Sequence, residues 1–194
     1  MPIPITTKNN MLDGQPFTQA SLHTAFPGTT GTSEVTGGAP AYARKNITMG
    51  ASSGGQRTLS AAVTFDVPAT TVRWIGFWNA AVFIGTAANG GATPKNFMAQ
   101  PSSDLVYSTT HGFADTAKIV FFNGTPPGGL VEGTVYFVRD STVDTFKVAA
   151  TSGGVAIDIT TTAGFGSVLC AIVEDVYAGQ GTHQLTTSSF VVPD

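Results

Sequence analysis

The sequence predicts an all-β protein, made of a β-sandwich-like host domain that carries an inserted small β-meander or barrel module. Residues 58–67 alternate polar and apolar side chains, which is typical of a strand with one buried face. Short apolar runs recur between turns that draw on 23 glycines and 11 prolines. Beyond one helical turn near the N-terminus no amphipathic helix is indicated, so strands must supply the core.

Two segments near the N-terminus are predicted to lie outside the strands. A helical turn is expected at residues 5–12, with Ile5, Met11 and Leu12 on one side. Residues 27–40 are rich in glycine, proline and threonine and contain little to bury. We therefore expect a surface loop, or an arm that orders against a neighbouring subunit.

The strands of the host domain follow from their hydrophobic patterns. Residues 72–78 are apolar on both faces, which predicts a central strand, and residues 81–86 are its expected hairpin partner. Further strands are expected at residues 20–25, 43–49, 59–67, 168–173 and 182–187.

A second series of strands begins near residue 104 and indicates a unit of its own. Its strands are expected at residues 105–110, 118–122, 134–139, 145–149 and 155–159, separated by polar turns. The predicted host domain is residues 1–103 plus 171–194, and the predicted module is residues 104–170. Such an insertion costs little stability, because the entropy of loop closure grows slowly with length.

The composition limits the partners that the chain can have. Only 11% of its residues are charged, against about one-quarter in a typical soluble domain. A surface with so few charged side chains is typical of a subunit held in an assembly. A net charge of −3 with 9 Lys and Arg argues against nucleic-acid binding. With no signal peptide and no apolar run of about 20 residues, we expect no membrane partner and synthesis in a cytoplasm.

No residue is predicted to be catalytic, to bind a cofactor or to bind a metal. His23 and His183 are expected to be ordinary surface or edge residues of strands, and His111 to lie in a turn. Cys170, the single cysteine, sits in an apolar run and is expected to be a small buried side chain. The isolated acidic residues fall in turns, where aspartate commonly binds backbone; they are Asp104, Asp115, Asp140 and Asp144.

Four aromatic residues lie close together in the sequence, at Trp74, Phe77, Trp78 and Phe83. They fit either a sugar-stacking platform or the core of a β-sandwich, and the core is the favoured interpretation. Alternation places Trp74 and Trp78 on one face of the strand and Phe77 on the other.

Two sets of motifs resemble families of tailed bacteriophages. The first set resembles tail-fibre-like or minor tail proteins of actinobacterial phages; it comprises Asn10–Leu12, Ala25–Gly31, Glu34–Gly38, Tyr42–Arg44, Ile47–Met49, Ala61–Pro68, Trp74–Trp78 and Gly179–Thr186. The second is similar to a short β module of phage tail and virion-surface proteins; it comprises Thr109–Asp115, Val120–Gly124, Gly133–Val138 and Asp144–Val148. The resemblance implies a protein of the virion and brings no catalytic residue with it.

The leading hypothesis is therefore a non-enzymatic accessory structural protein on the exterior of a tailed-phage particle, assembled in the cytoplasm of the host bacterium. It would dock to other capsid or tail subunits, as a homo-oligomer, and either a minor tail protein or a capsid decoration protein fits. The alternative is a carbohydrate-binding adhesin for a host-surface glycan. That alternative requires Trp74, Trp78 or an aromatic residue of the module to be exposed in a shallow groove.

Overall fold

The computed structural model describes residues 3–192 and confirms the all-β fold class. Short antiparallel strands dominate these residues, and one helix precedes them. The elements in chain order are α1 (Ile5–Asp13), β1 (Gln19–His23), β2 (Lys45–Asn46), β3 (Gln56–Thr58), β4 (Val63–Val67), β5 (Thr70–Val72), β6 (Trp74–Asn79), β7 (Val82–Ala88), β8 (Met98–Gln100), β9 (Leu105–Tyr107), β10 (Lys118–Phe122), β11 (Val135–Arg139), β12 (Thr145–Ala149), β13 (Val168–Ala171), β14 (Asp175–Tyr177), β15 (Gly181–Leu185) and β16 (Ser189–Val191).

The chain divides into two compact units. The first contains the described residues up to Ala92 together with those from Val173 onward, and the second is Thr93–Ile172. The first boundary lies before the predicted border at residue 103, because β8 pairs with β9 of the second unit. That the second unit is a phage module inserted into a host domain stays a prediction.

The first unit is built on a four-stranded sheet in the order β2-β1-β6-β7, with three two-stranded ribbons, β14-β5, β15-β4 and β16-β3. One face of the sheet and the ribbons share a core. The buried residues of that core include Ala20, Leu22, Ile75 and Phe77 from the sheet and Phe65, Val67, Val72 and Leu185 from the ribbons. Ribbons packed on a sheet give this unit a sandwich-like interior.

Several predicted strands of this unit are confirmed. β6 lies inside the sheet between β1 and β7, and its hairpin with β7 is antiparallel. The alternating segment forms a shorter strand than expected, β4, because the backbone N–H groups of Leu59 and Ser60 bind the carbonyls of Ser188 and Thr48 instead.

The helix forms where it was predicted, but it buries a different side. Leu12 and Lys8 face the protein, while Ile5 and Met11 are 56% and 52% exposed. Residues four apart share one helical face, so Leu12 brings the stem of Lys8 inward. The guanidinium of Arg57 donates to the carbonyl oxygens of Leu12 (3.2 Å) and of Gln15 (3.0 Å). These bonds tie Arg57 to the C-terminal end of the helix, where the Leu12 carbonyl also accepts the backbone N–H of Gln15 (3.1 Å).

The second unit is one six-stranded antiparallel sheet in the order β13-β10-β11-β12-β9-β8. The predicted strands at its centre, β10, β11 and β12, form a meander. The strand predicted at residues 155–159 is wrong, because this segment makes only a single bridge, between Ala149 and Ala156. Its apolar residue Ile159 is nevertheless buried in the core of the unit. β8 was not predicted.

Candidate functional site

The aromatic residues singled out in the sequence lie on the second face of the four-stranded sheet. Trp74 is paired across the strands with His23, and Gly76 with Ser21, so these residues share one face with Trp78. Phe77 points to the opposite face and into the core. The predicted division of the aromatic residues between the two faces is confirmed.

A loop of residues 24–44, here called the clasp loop, returns over this second face. Gly31 lies against the indole of Trp78 so closely that a Cβ atom at this position would be 2.5 Å from the ring. Gly31 also has φ +75°, which a side chain would strain. The ring of Phe26 packs edge-on to Trp74 at 4.9 Å between centroids, and the Arg44 guanidinium carbon lies 3.3 Å from the centroid of the Trp78 ring.

Both tryptophans are consequently buried: Trp74 is fully inaccessible and Trp78 is 5% exposed. A sugar-stacking platform at these residues is therefore wrong, and the buried interpretation is confirmed. The cover is a glycine-containing loop of the same unit rather than a second sheet. The loop or arm predicted at residues 27–40 is only partly exposed to solvent. Residues 36–41 are exposed, whereas Pro27 and Val35 are buried.

A chain of hydrogen bonds runs beneath the clasp loop. The indole Nε1–H of Trp78 donates to Ser21 Oγ (2.7 Å), and the Ser21 hydroxyl lies 2.6 Å from His23 Nε2. His23 Nδ1 is 2.7 Å from the carbonyl oxygen of Thr32 in the loop. Because a carbonyl only accepts, Nδ1 carries the proton and the Ser21 hydroxyl donates to Nε2.

The expectation that His23 is a surface residue is wrong, because its side chain is fully buried. Burial lowers its pKa, and the bond to Thr32 and the charge of Glu34 only partly oppose this effect. A serine hydroxyl at this distance from an imidazole also resembles an activated nucleophile. Ser21 is equally inaccessible, so no substrate reaches its Oγ, and the pair fastens the loop instead.

A second set of contacts anchors the other end of the clasp loop. Arg44 donates to both carboxylate oxygens of Glu34, at 2.9 Å from Nε and 2.8 Å from Nη2. The Tyr42 hydroxyl accepts from the backbone N–H of Leu22 (2.8 Å) and donates to Glu34 Oε1 (3.3 Å). The backbone N–H of Val35 donates to the carbonyl of Leu22 (2.9 Å). The loop is thereby joined to β1 through both side chains and backbone.

The expectation that His183 is a surface residue is also wrong, because it is 3% exposed. Its Nδ1 lies 3.1 Å from the Tyr177 hydroxyl and 3.6 Å from Asp175 Oδ2. The side-chain amide of Asn89 donates to the same Asp175 oxygen (2.8 Å). Burial lowers the pKa of His183, and Asp175 partly opposes the shift. The cluster joins β14, β15 and the end of β7.

His111 and the turn aspartates have structural positions in the second unit. His111 follows the turn at residues 109–110, accepts the backbone N–H of Phe113 at Nδ1 (3.0 Å) and packs against Phe113 and Phe146. Three turn aspartates accept backbone N–H groups: Asp104 from Ile159, Asp115 from Ser141 and Asp144 from Thr110. These contacts bind loop to loop.

The other chemistry-bearing groups offer no open site. Cys170 is buried as predicted, and burial raises the pKa of its thiol to about 12. Among residues 3–192, no three His, Cys, Asp or Glu side chains are placed to hold a metal ion. The same residues include no helix with the length and apolar character needed to cross a bilayer.

A shallow groove of about 390 Å³ lies on the second unit. Met98 and Tyr107 are cross-strand partners there and are 71% and 38% exposed. Asn96, Thr109 and Asp144 supply polar groups at its sides. Aromatic surface next to amide, hydroxyl and carboxylate groups is a combination that can hold a polar ring-shaped ligand.

Comparison with known proteins gives one family. Residues 7–101, just under half of the chain, match the family model described as Podophage GP4 fiber I protein gp80. No curated protein and no solved structure matches the chain. The matched residues run from α1 to β8 and include the whole clasp loop. The match supports a virion-associated structural protein of the phage tail-fibre type, as the sequence resemblance implied; the actinobacterial origin stays a prediction.

Proposed function

We propose that this chain is a non-enzymatic structural subunit on the exterior of a tailed-phage particle, docked to other virion subunits as a homo-oligomer. The observation that carries the proposal is the fibre-family match over residues 7–101. Because the matched family is a fibre protein, it favours a minor tail or fibre-associated subunit over a capsid decoration protein. Assembly would take place in the cytoplasm of the host bacterium.

The geometry of the first unit supports a structural role. The groups that resemble reactive ones, Ser21, His23 and His183, are buried and used in holding segments of the chain together. Catalysis needs such groups to be within reach of a substrate. A folded framework with inward-facing polar groups and few surface charges is instead suited to packing against neighbours.

The path of the chain supports an inserted second unit. Asn89 and Val173 flank that unit in the sequence, and they are hydrogen-bonded to each other. The backbone N–H of Val173 donates to the Asn89 carbonyl (2.9 Å), and the Asn89 side chain donates to the Val173 carbonyl (3.2 Å). The family match ends at residue 101, a short way into the second unit, and leaves the rest of that unit outside the matched family. An insertion at such a closed junction leaves the host framework intact.

The placement is tested by the copy number and position of the protein in purified particles. Quantitative mass spectrometry against the major capsid protein, with gold-labelled antibody in electron microscopy, measures both. A few to a dozen copies at the tail are expected for a fibre-associated subunit. Hundreds of copies over the shell would replace this placement with capsid decoration, and absence from the particle would refute the proposal.

A carbohydrate-binding adhesin is the second candidate, and the groove at Tyr107 is the observation that favours it. The site would lie in the second unit, because the two tryptophans are covered. Binding of host-wall glycans to the protein should then fall at least about tenfold in Tyr107→Ala. Val143→Ala, which changes a 70% exposed residue of the same unit outside the groove, is the matched control. Absence of binding to any host-wall sugar would leave the structural role alone.

A further inference from the structure

Two loops of the second unit, themselves without charged residues, form one surface. Residues 123–131 and 159–167 contain no Asp, Glu, Lys, Arg or His. The loops are bound to each other: the backbone N–H of Gly164 donates to the Thr125 carbonyl (2.8 Å), and that of Thr160 to the Gly128 carbonyl (3.0 Å). Gly128 in turn donates to the Thr161 hydroxyl (2.9 Å). We call this the two-loop surface.

An apolar knob projects from the two-loop surface. Phe165 is 92% exposed, and Val131 on the other loop is 63% exposed. Phe165 is held outward because the N–H of Gly164 is fixed to the neighbouring loop and Gly166 takes a left-handed turn at φ +78°. A large exposed aromatic side chain on an ordered loop is a common mark of an interaction site.

A hollow that can receive such a side chain adjoins the knob. It has a volume of about 260 Å³ and is lined by Phe97, Met98 and Ala99 on one side and by Ala163 and Gly164 on the other. Its lining residues are uncharged. Two residues of the lining, Ala163 and Gly164, immediately precede the knob in sequence, so knob and hollow belong to the same patch.

We infer that the two-loop surface binds a second copy of this chain, with Phe165 of each copy in the hollow of the other. This inference rests on the homo-oligomer in the proposed function. A knob beside its own hollow is self-complementary, as a twofold interface requires. Residues near a twofold axis meet their own copies, so a charge there would face a like charge. The two loops contain no charged residue, and the carboxylate of Glu132 beside them is held by the backbone N–H of Gly124 (3.1 Å).

The test is sedimentation equilibrium of the full chain over a wide range of concentrations. The wild type should dimerise, and Phe165→Ser should weaken dimerisation by about a hundredfold or more, since the twofold removes two knobs at about tenfold each. Ala163→Leu, which fills the hollow and keeps the knob, should weaken it as well. Val155→Ser is the matched control, because Val155 is 85% exposed in the same unit but lies outside the two loops.

The outcomes separate this inference from the proposed function. Unchanged thermal unfolding of Phe165→Ser shows that the fold is intact, as expected for a side chain so exposed. If Phe165→Ser and Ala163→Leu dimerise like the wild type, the inferred interface is wrong although the homo-oligomer stands. If the wild type is monomeric at every concentration, both the interface and the homo-oligomer are wrong, whereas its place in the virion is decided by the particle measurements.

Discussion

Replacing Ser21 with alanine should strongly destabilise the first unit. The Ser21 hydroxyl stands between the Trp78 indole N–H at 2.7 Å and His23 Nε2 at 2.6 Å, and all three side chains are buried. Ser21→Ala therefore leaves two polar groups buried without their partner. Each such group costs about 1–3 kcal/mol, so we expect a loss of about 2–6 kcal/mol in the free energy of unfolding. That is a large share of the ~5–15 kcal/mol typical of a protein domain.

Urea unfolding followed by tryptophan fluorescence measures this loss. Both tryptophans of the chain lie in the first unit, so their emission reports on that unit. Ser60→Ala is a suitable control, because the Ser60 hydroxyl donates to the Thr48 carbonyl (2.7 Å) at an exposed position. Its loss should stay below about 1 kcal/mol. If Ser21→Ala costs no more than Ser60→Ala, the hydrogen-bond chain does not hold the clasp loop.

Three further predictions concern the same framework and the buried thiol. Gly31→Ala places a Cβ atom 2.5 Å from the Trp78 ring at a positive φ. It should lower the free energy of unfolding by about 1–3 kcal/mol and shift the tryptophan emission to longer wavelength. An unchanged emission and an unchanged urea midpoint would contradict the packing of the clasp loop. Burial lowers the pKa of His23 and His183, so the unfolded chain binds more protons in acid. The free energy of unfolding should therefore be at its maximum above the ordinary histidine pKa of about 6.5. It should fall as the pH drops from there towards the lower pKa values of the two histidines in the folded protein. Urea midpoints that do not change between about pH 7 and pH 5 would refute this. With its pKa raised to about 12, Cys170 should react with a thiol reagent at pH 8 only after unfolding, and rapid reaction of the native protein would show that the strand is accessible.

The sequence was sufficient to predict strands whose hydrophobic pattern and pairing partner lie close together in the chain. The hairpin of β6 and β7 follows from a run that is apolar on both faces and a partner close by in the chain. The helix ends as expected, but its buried side differs from the prediction, because Lys8 is a charged residue that is nevertheless buried together with Leu12. Hydropathy alone assigns such a residue to solvent.

The clasp loop could not be recognised from hydropathy. Residues 27–40 appear exposed because few of their side chains are apolar, but the loop covers Trp78 with a glycine and binds His23 through a backbone carbonyl. Neither contact leaves a hydrophobic signal in the sequence. A usable signal lies in β1 instead: Ser21 and His23 share a face with the two tryptophans, and a buried indole N–H requires an acceptor.

The incorrect strand at residues 155–159 has a similar cause. Val155, Ile157 and Ile159 alternate with other residues as in a strand. The segment touches β12 only briefly, through the Ala149–Ala156 bridge and the Ile157 N–H, which donates to the Val148 carbonyl (2.8 Å). Its end is fixed by the Ile159 N–H, which donates to Asp104 Oδ1 (2.9 Å). This contact joins residues far apart in sequence, which a periodic pattern does not reveal.

The closed junction at Asn89 and Val173 gives the framework a modular property. Asn89 follows β7 and Val173 precedes β14, so the two hydrogen bonds between them bring the chain leaving the first unit next to the chain returning to it. Any folded cassette with neighbouring termini meets the same geometric condition. If the second unit is an insertion, as proposed, this junction is where a different folded segment would be accommodated with the least change to the first unit.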